Sequence, residues 1–199
     1  MRSFLLSAVI VVLGAIGLWQ TTDGLRALTA ESARRLEVAT GKPALPALSL
    51  EDMAGRSLTL GRPGDKLTLA EFIYTSCPTI CRAAGESMAM LRDRLAADGI
   101  GDRVRLLSVS FDPLQDDLEA LADYGEWHGA AGEIWTVARP SLTDLDVMLA
   151  SFGVQVIPDG FGGFEHNAAL HMIDRDGHLI GIFDIDDIDG AVRAIEAKL

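Results

Sequence analysis

Two apolar runs constrain this chain more than any other feature. KLTLAEFIYT (66–75) and RVRLLSVSFD (103–112) are short and rich in Leu, Ile, Val and Phe, and between them AAGESMAMLRDRLAADG (83–99) reads as a helix. Near-continuous apolar runs of strand length mark strands covered on both faces. A helix linking two such strands is a crossover, so both belong to one parallel sheet. A second crossover follows: DDLEALADYGEWHG (116–129) has helical spacing with an acid-rich first turn, and EIWTVAR (133–139) is a short strand.

The flanks add antiparallel pieces. LSLEDMAGRSLTL (48–60) alternates apolar and polar residues around Ala54-Gly55, as a hairpin does. SLTDLDVMLASFG (141–153) reads as a helix with Ser141 at the N-cap and Asp144 at the capping-box position. VQVIPDGFGGFEHN (154–167) is rich in Gly and Pro and reads as a surface loop. AALHMID (168–174) and HLIGIFDID (178–186) form a hairpin through the turn DRDG, and DGAVRAIEAKL (189–199) closes the chain as a helix. The expected fold is α/β and thioredoxin-like: a mixed central sheet flanked by helices, with an N-terminal hairpin.

The N-terminus is a separate matter. From Ser3 to Thr22 there is no charge, and a helix of about 20 residues matches a bilayer core of about 30 Å. Arg2 before the run and Asp23 after it give a weak bias for the N-in orientation. No small-x-small site follows closely behind Trp19, which favours a retained single-pass transmembrane anchor over a cleaved signal segment. The division is then residues 1–22 as anchor or signal, 23–47 as a stalk ending in Pro43 and Pro46, and 48–199 as the compact domain. Either reading exports that domain, most simply into a bacterial periplasm with the chain held in the inner membrane. Net charge is −12 with basic residues thinly scattered, so nucleic acid is excluded as a partner.

The chain has two cysteines, Cys77 and Cys81, three residues apart at a strand-to-helix junction. An oxidising compartment permits a structural disulfide. Closing so short a loop, however, removes little entropy from the unfolded chain, so a staple is poorly placed here. With the helix starting near Pro78 or Thr79, Cys77 falls at the N-cap and Cys81 one turn on, where unpaired N–H groups and the helix dipole favour thiolates. Arg82 adds a cation beside Cys81. Thiolates serve disulfide exchange and soft metals such as Cu(I) alike, and a third ligand would tilt the site toward metal.

Four histidines are available. His128 ends a helix, where a cation is ordinary, and His178 follows a turn and reads as solvated. His166 and His171 fall around one strand with an odd separation, so they point to opposite faces. His166, at the junction of loop and strand, is the better ligand candidate, and His171 reads as a packed core residue. Met53, Met88, Met90, Met148 and Met172 sit at scattered, core-like positions and read as packing.

YTSCPTIC (74–81), then LLSVSFDP (106–113) with Asp112, then FEHNAALHMIDRDGHLIGIF (164–183) resemble the SCO/SenC family of membrane-anchored, thioredoxin-like copper proteins. The resemblance covers roughly Leu48 to Leu199 and includes the anchor. It implies a copper metallochaperone that holds Cu(I) or Cu(II) through Cys77, Cys81 and His166. It also implies a role in assembling the dinuclear copper centre of cytochrome c oxidase. The partner would be a copper-accepting oxidase subunit or another periplasmic copper protein. An alternative is a thiol–disulfide oxidoreductase in which Cys77 and Cys81 form the redox-active pair and reduce the partner's cysteines. Peroxide reduction on a peroxiredoxin-like scaffold is a third reading. The chain departs from the family pattern at Arg82, where Pro is usual, and at Glu165-His166-Asn167, where Asp-His-Ser is usual. Asp112 either supports the site or caps the turn after its strand.

Overall fold

The computed structural model describes the backbone of residues 2–77, 80–130 and 134–199, and the side chains of these except at 2–6 and 80–83. The chain divides into two compact units, Met1–Gly41 and Lys42–Leu199. The first holds helices α1 (Arg2–Thr21) and α2 (Ala30–Gly41). Thr29 caps α2 reciprocally, its Oγ accepting from Ser32 N–H while Ser32 Oγ accepts from Thr29 N–H. The expected membrane span begins at Ser3, so its opening side chains lie outside the described residues. Among the described residues no helix is long and apolar enough to cross a membrane.

The second unit is built on a seven-stranded sheet. Its strands are β1 (Leu48–Asp52), β2 (Ser57–Leu60), β3 (Leu67–Ile73), β4 (Val104–Ser110), β5 (Trp135–Pro140), β8 (Leu170–Ile173) and β9 (Leu179–Phe183), in the order β2-β1-β5-β4-β3-β8-β9. β3, β4 and β5 are parallel, and β1 and β8 add antiparallel on either side. Every residue of β3 is buried, as its near-continuous apolar run leads one to expect, and the burial extends to Thr68 and Glu71. The expected mixed α/β sheet with an N-terminal hairpin is the observed one.

Helices α3 (Ile80–Ala97), α4 (Leu118–His128), α5 (Leu145–Phe152) and α6 (Ile188–Glu196) cover the sheet. Phe72 of β3 meets Phe152 of α5 at 5.0 Å between ring centroids, which assigns α5 to one face. Trp135 of β5 faces His128 of α4 at 6.4 Å, and the His128 ring lies against Gly85 of α3, so α3 and α4 share the other face. Asp117 and Asp187 cap α4 and α6 by accepting from Ala120 N–H and Gly190 N–H.

Several sequence expectations are corrected. Ser141 does not start a helix: it forms a turn whose hydroxyl accepts from Asp144 N–H, and α5 begins at Leu145. Asp144 makes no side-chain cap, because its carboxylate accepts from Ser49 N–H and ties the helix entrance to β1. The Gly/Pro-rich stretch is not a plain loop either. It forms a small antiparallel hairpin, β6 (Val156–Pro158) and β7 (Phe164–His166). Asp159 shapes the connection by accepting from Phe161 N–H and Gly163 N–H. His166 and His171 therefore lie on different strands. The break is set by Asn167, which accepts from Gln155 N–H at 2.7 Å and donates to Gly153 O at 2.9 Å. Met88, Met148 and Met172 are core residues as expected, whereas Met90 is exposed on α3.

Candidate metal centre

The site forms where β3 and β4 end. Tyr74 follows β3 and Phe111 follows β4, their rings 5.4 Å apart, and both pack edge-on against Phe164 of β7, at 5.2 and 5.6 Å. Phe164 N–H also donates to Tyr74 Oη at 3.3 Å. This cluster clamps the β6–β7 hairpin onto the sheet's end, and it sets His166 5.0 Å from the Phe111 ring, at the end of β4, the neighbour of the strand that leads into the cysteines. A histidine some ninety positions downstream is thus carried to this end of the sheet with aromatic packing behind it. Half-buried there, His166 has its pKa pushed down by desolvation, which favours the neutral imidazole that binds metals.

Cys77 is buried, and its N–H donates to Tyr74 O at 3.2 Å. The intervening loop is held by Asp116, itself only 2% exposed. One carboxylate oxygen accepts from Thr75 Oγ at 2.6 Å, and the other accepts from Thr75 N–H at 3.0 Å and Ser110 Oγ at 2.5 Å. Arg139 donates to Asp116 O at 3.1 Å and pairs with Glu51 at 2.9 Å, locking the turn that carries the aspartate. The Asp112 carbonyl accepts from Gln115 N–H and Asp116 N–H, which closes the turn after β4. Its carboxyl pKa is raised, first by burial and then by the charge of Asp116.

Asp116 is a support that the sequence reading missed. The only signal was an acid following the DP turn, in a stretch where acids were already expected as helix caps. Replacing it with Asn keeps the shape but removes the charge from three hydrogen bonds. Hydrogen bonds to a charged group contribute roughly 1.5–3 kcal/mol, so Asp116→Asn should cost about 2 kcal/mol, read as a lowered urea midpoint.

The backbone of Cys81 lies in the first turn of α3, while its side chain and that of Arg82 lie outside the described residues. The expectation that Cys77 is the N-cap turns on Pro78 and Thr79, which also lie outside them. Among the described residues no group of three His, Cys, Asp or Glu side chains is placed to hold a metal. Cys77 and His166 are brought to one end of the sheet. His171 is not: it is wholly buried in β8 between Phe72 and Phe152, at 5.3 and 5.4 Å.

His128 ends α4 as expected, and it has a further place in the fold. It lines a cavity of about 380 Å³ together with Thr75, Cys77, Asp123, Tyr124 and Trp127. Its ring centroid is 4.5 Å from that of Tyr124, and it rests so closely on α3 that a Cβ at Gly85 would come within 2.5 Å of it. His178 is partly exposed, 3.5 Å from Asp174.

The family model described as SCO1/SenC matches residues 25–198. A SCO1 protein homolog of Bacillus subtilis (strain 168) is 26% identical over 135 residues, which span 66% of this chain and 69% of that one. Among solved structures, Arabidopsis thaliana ScoI with copper bound superposes with a TM-score of 0.67 at 19% identity, covering 78% of this chain and 99% of that one. BsSco, a member of the Sco family of cytochrome c oxidase assembly proteins in which a disulfide switch was identified, superposes with a TM-score of 0.69 at 22% identity, covering 79% and 94%. At these identities the structural likeness establishes the fold.

Proposed function

The chain belongs to the SCO1/SenC family, and on that premise we propose that it carries copper as cargo, held by Cys77, Cys81 and His166, for assembly of the copper centre of cytochrome c oxidase. The observation that carries this reading is the Tyr74–Phe111–Phe164 clamp, which delivers a desolvated imidazole to the cysteine end of the sheet. Two thiolates and a neutral imidazole are a soft donor set, suited to Cu(I) and still competent for Cu(II). Three protein ligands leave room for an acceptor's ligands to enter before the donor's leave. The acceptor is an oxidase subunit with an empty copper site.

The test is copper titration of the reduced protein, followed by transfer to an apo oxidase copper domain. His166→Ala should weaken Cu(II) binding and remove the Cu(II)–thiolate absorption band. Full affinity and an intact band in that variant would refute the ligand assignment.

Thiol–disulfide exchange is a second reading, favoured by the cavity onto which Cys77 opens. Rapid reduction of a partner disulfide, without any copper transfer, would select it. The uncharged run from Ser3 to Thr22 supports an inner-membrane anchor with the domain in the periplasm. Release of the full chain from membranes by an alkaline carbonate wash would rule the anchor out.

A further inference from the structure

The β6–β7 hairpin has two faces, and the proposed copper site uses one of them. Register pairs Val156 with His166 and Ile157 with Glu165. Side chains alternate across a ribbon, so Val156, Phe164 and His166 turn toward the aromatic clamp while Ile157 and Glu165 turn away from it. Ile157 is 59% exposed, and Phe161 at the tip is 96% exposed.

The tip is braced. Asp159 N–H donates to Gly163 O at 3.0 Å, and Asp159 Oδ1 accepts from Phe161 N–H at 2.7 Å and Gly163 N–H at 2.9 Å. Gly160 and Gly162, on either side of Phe161, supply the positive φ values of 79° and 94° that this turn requires. A Cβ at Gly163 would come within 3.0 Å of Tyr74 Oη, so the turn rests on the clamp itself. Phe161 and His166 therefore ride on one fixed hairpin. Single exposed apolar side chains are ordinary. A phenyl ring held in water at the apex of a braced turn is less so, because a polar residue there would satisfy the same backbone. Leu114, 74% exposed in the turn after β4, adds apolar surface at the same end of the sheet.

Acids surround this apolar surface. Glu165 stands beside Ile157 across the ribbon, and Asp117 and Glu119 are exposed just after Leu114. Arg139 is the only Lys or Arg in the sequence between Arg105 and Arg175, and it is paired with Glu51 at 2.9 Å. An apolar centre with a polar rim is the make-up of a protein interface. The sign of the rim selects the occupant. Anionic lipid headgroups and a second copy of the same face are repelled, whereas a protein surface carrying Lys and Arg is attracted.

We propose that the tip and outer face of the β6–β7 hairpin dock the copper acceptor, with Phe161 entering an apolar pocket that is bordered by Lys and Arg on the acceptor. The inference rests on the cargo reading above. The inner face of the hairpin holds His166 while its tip holds the partner, so docking sets the acceptor's empty ligands against the copper end of the sheet. Opposite charge speeds the encounter, and the buried phenyl ring slows release.

The test uses the full chain in phosphatidylcholine nanodiscs, loaded with Cu(I) under reducing conditions, and the apo oxidase copper domain as acceptor. Phe161→Ala should slow copper transfer at low acceptor concentration by roughly 30-fold, the loss of one aromatic anchor. Its urea midpoint and its affinity for Cu(I) against a chelator should stay at wild-type values, since the ring touches neither core nor ligand. Phe161→Leu should recover most of the rate. Raising salt from about 20 to about 300 mM should slow wild-type transfer roughly tenfold. Amide hydrogen exchange should show residues 156–166 protected by the apo domain. Protection of that segment by phosphatidylglycerol vesicles, or by raising the chain's own concentration, in place of the apo domain would assign the face to a membrane or a second copy and overturn the inference. A wild-type rate in Phe161→Ala, or transfer indifferent to salt, would overturn it while leaving copper delivery standing. Phe161-dependent protection by the apo domain without any copper passed would support the docking face and end the cargo reading. A wild type that neither passes copper nor is protected would end both.

Discussion

Serine at position 77 or 81 should leave the protein folded and unable to retain copper. The exchange preserves size and replaces a soft thiolate with a hard hydroxyl, which is neutral at pH 7 and a poor ligand for Cu(I). Losing an outer hydrogen bond to a metal ligand already costs roughly 10- to 100-fold in affinity. Loss of one of two thiolates should exceed that, at about 1,000-fold or more for Cu(I). His166→Ala should act differently, sparing much of the Cu(I) affinity and removing most of the Cu(II) affinity, because imidazole contributes more to the harder ion. Competition against a Cu(I) chelator under reducing conditions gives the first comparison, and Cu(II) titration gives the second. Comparable Cu(I) retention in Cys77→Ser and the wild type would remove Cys77 from the site.

The cysteine variants should stay folded because the residues leading into Cys77 have anchors of their own. Thr75 is fixed by Asp116, and Tyr74 by Phe111 and Phe164, through contacts that make no use of Cys77. The loop is thus preorganised before any ligand arrives. Asp116→Asn should consequently weaken stability in the metal-free protein as much as in the loaded one, which separates support of the loop from ligation.

What the sequence revealed follows the strength of its periodic signals. β3 and β4 were legible because strands buried on both faces must be continuously apolar, and the β1–β2 and β8–β9 hairpins because alternation and turn residues coincide. The β6–β7 hairpin was not, since strands of three residues carry no period and Gly160, Gly162, Gly163 and Pro158 dominate the local composition. The division of His166 from His171 depended on the side-chain amide of Asn167 reaching back to Gly153 and Gln155, a tertiary contact without a local signature. His166 was chosen for its position at a loop end and from the family pattern. The aromatic clamp that delivers it joins residues from three strand ends and is invisible in linear spacing. Asp116 and His128 were hidden for a related reason: each resembles an ordinary helix-end residue until the fold sets it beside the cysteine loop.

Glu71 should make the wild-type protein lose stability as the solution becomes more alkaline, and Glu71→Gln should abolish that loss. In the folded chain this carboxyl titrates at about 8, against an ordinary value of 4.5. Between those limits the native state keeps a proton that the unfolded chain has released, so unfolding stability falls with rising pH and levels off above the folded value. A tenfold change in proton affinity corresponds to about 1.4 kcal/mol, which gives a total loss on the order of 4 kcal/mol across the window. Below the window both states are protonated, and Gln, nearly isosteric with the neutral acid, should differ from the wild type by about 1 kcal/mol or less. Urea midpoints at pH 4, 7 and 9 should therefore coincide at the acid end and diverge toward the alkaline end, with Glu71→Gln the more stable. Parallel curves would mean that Glu71 is ionised throughout and paired with a cation. Divergence in the opposite sense would mean that its charge stabilises the fold. The predicted order follows from a carboxyl buried in the sheet with Ser108 as its one hydrogen-bond donor among the described residues.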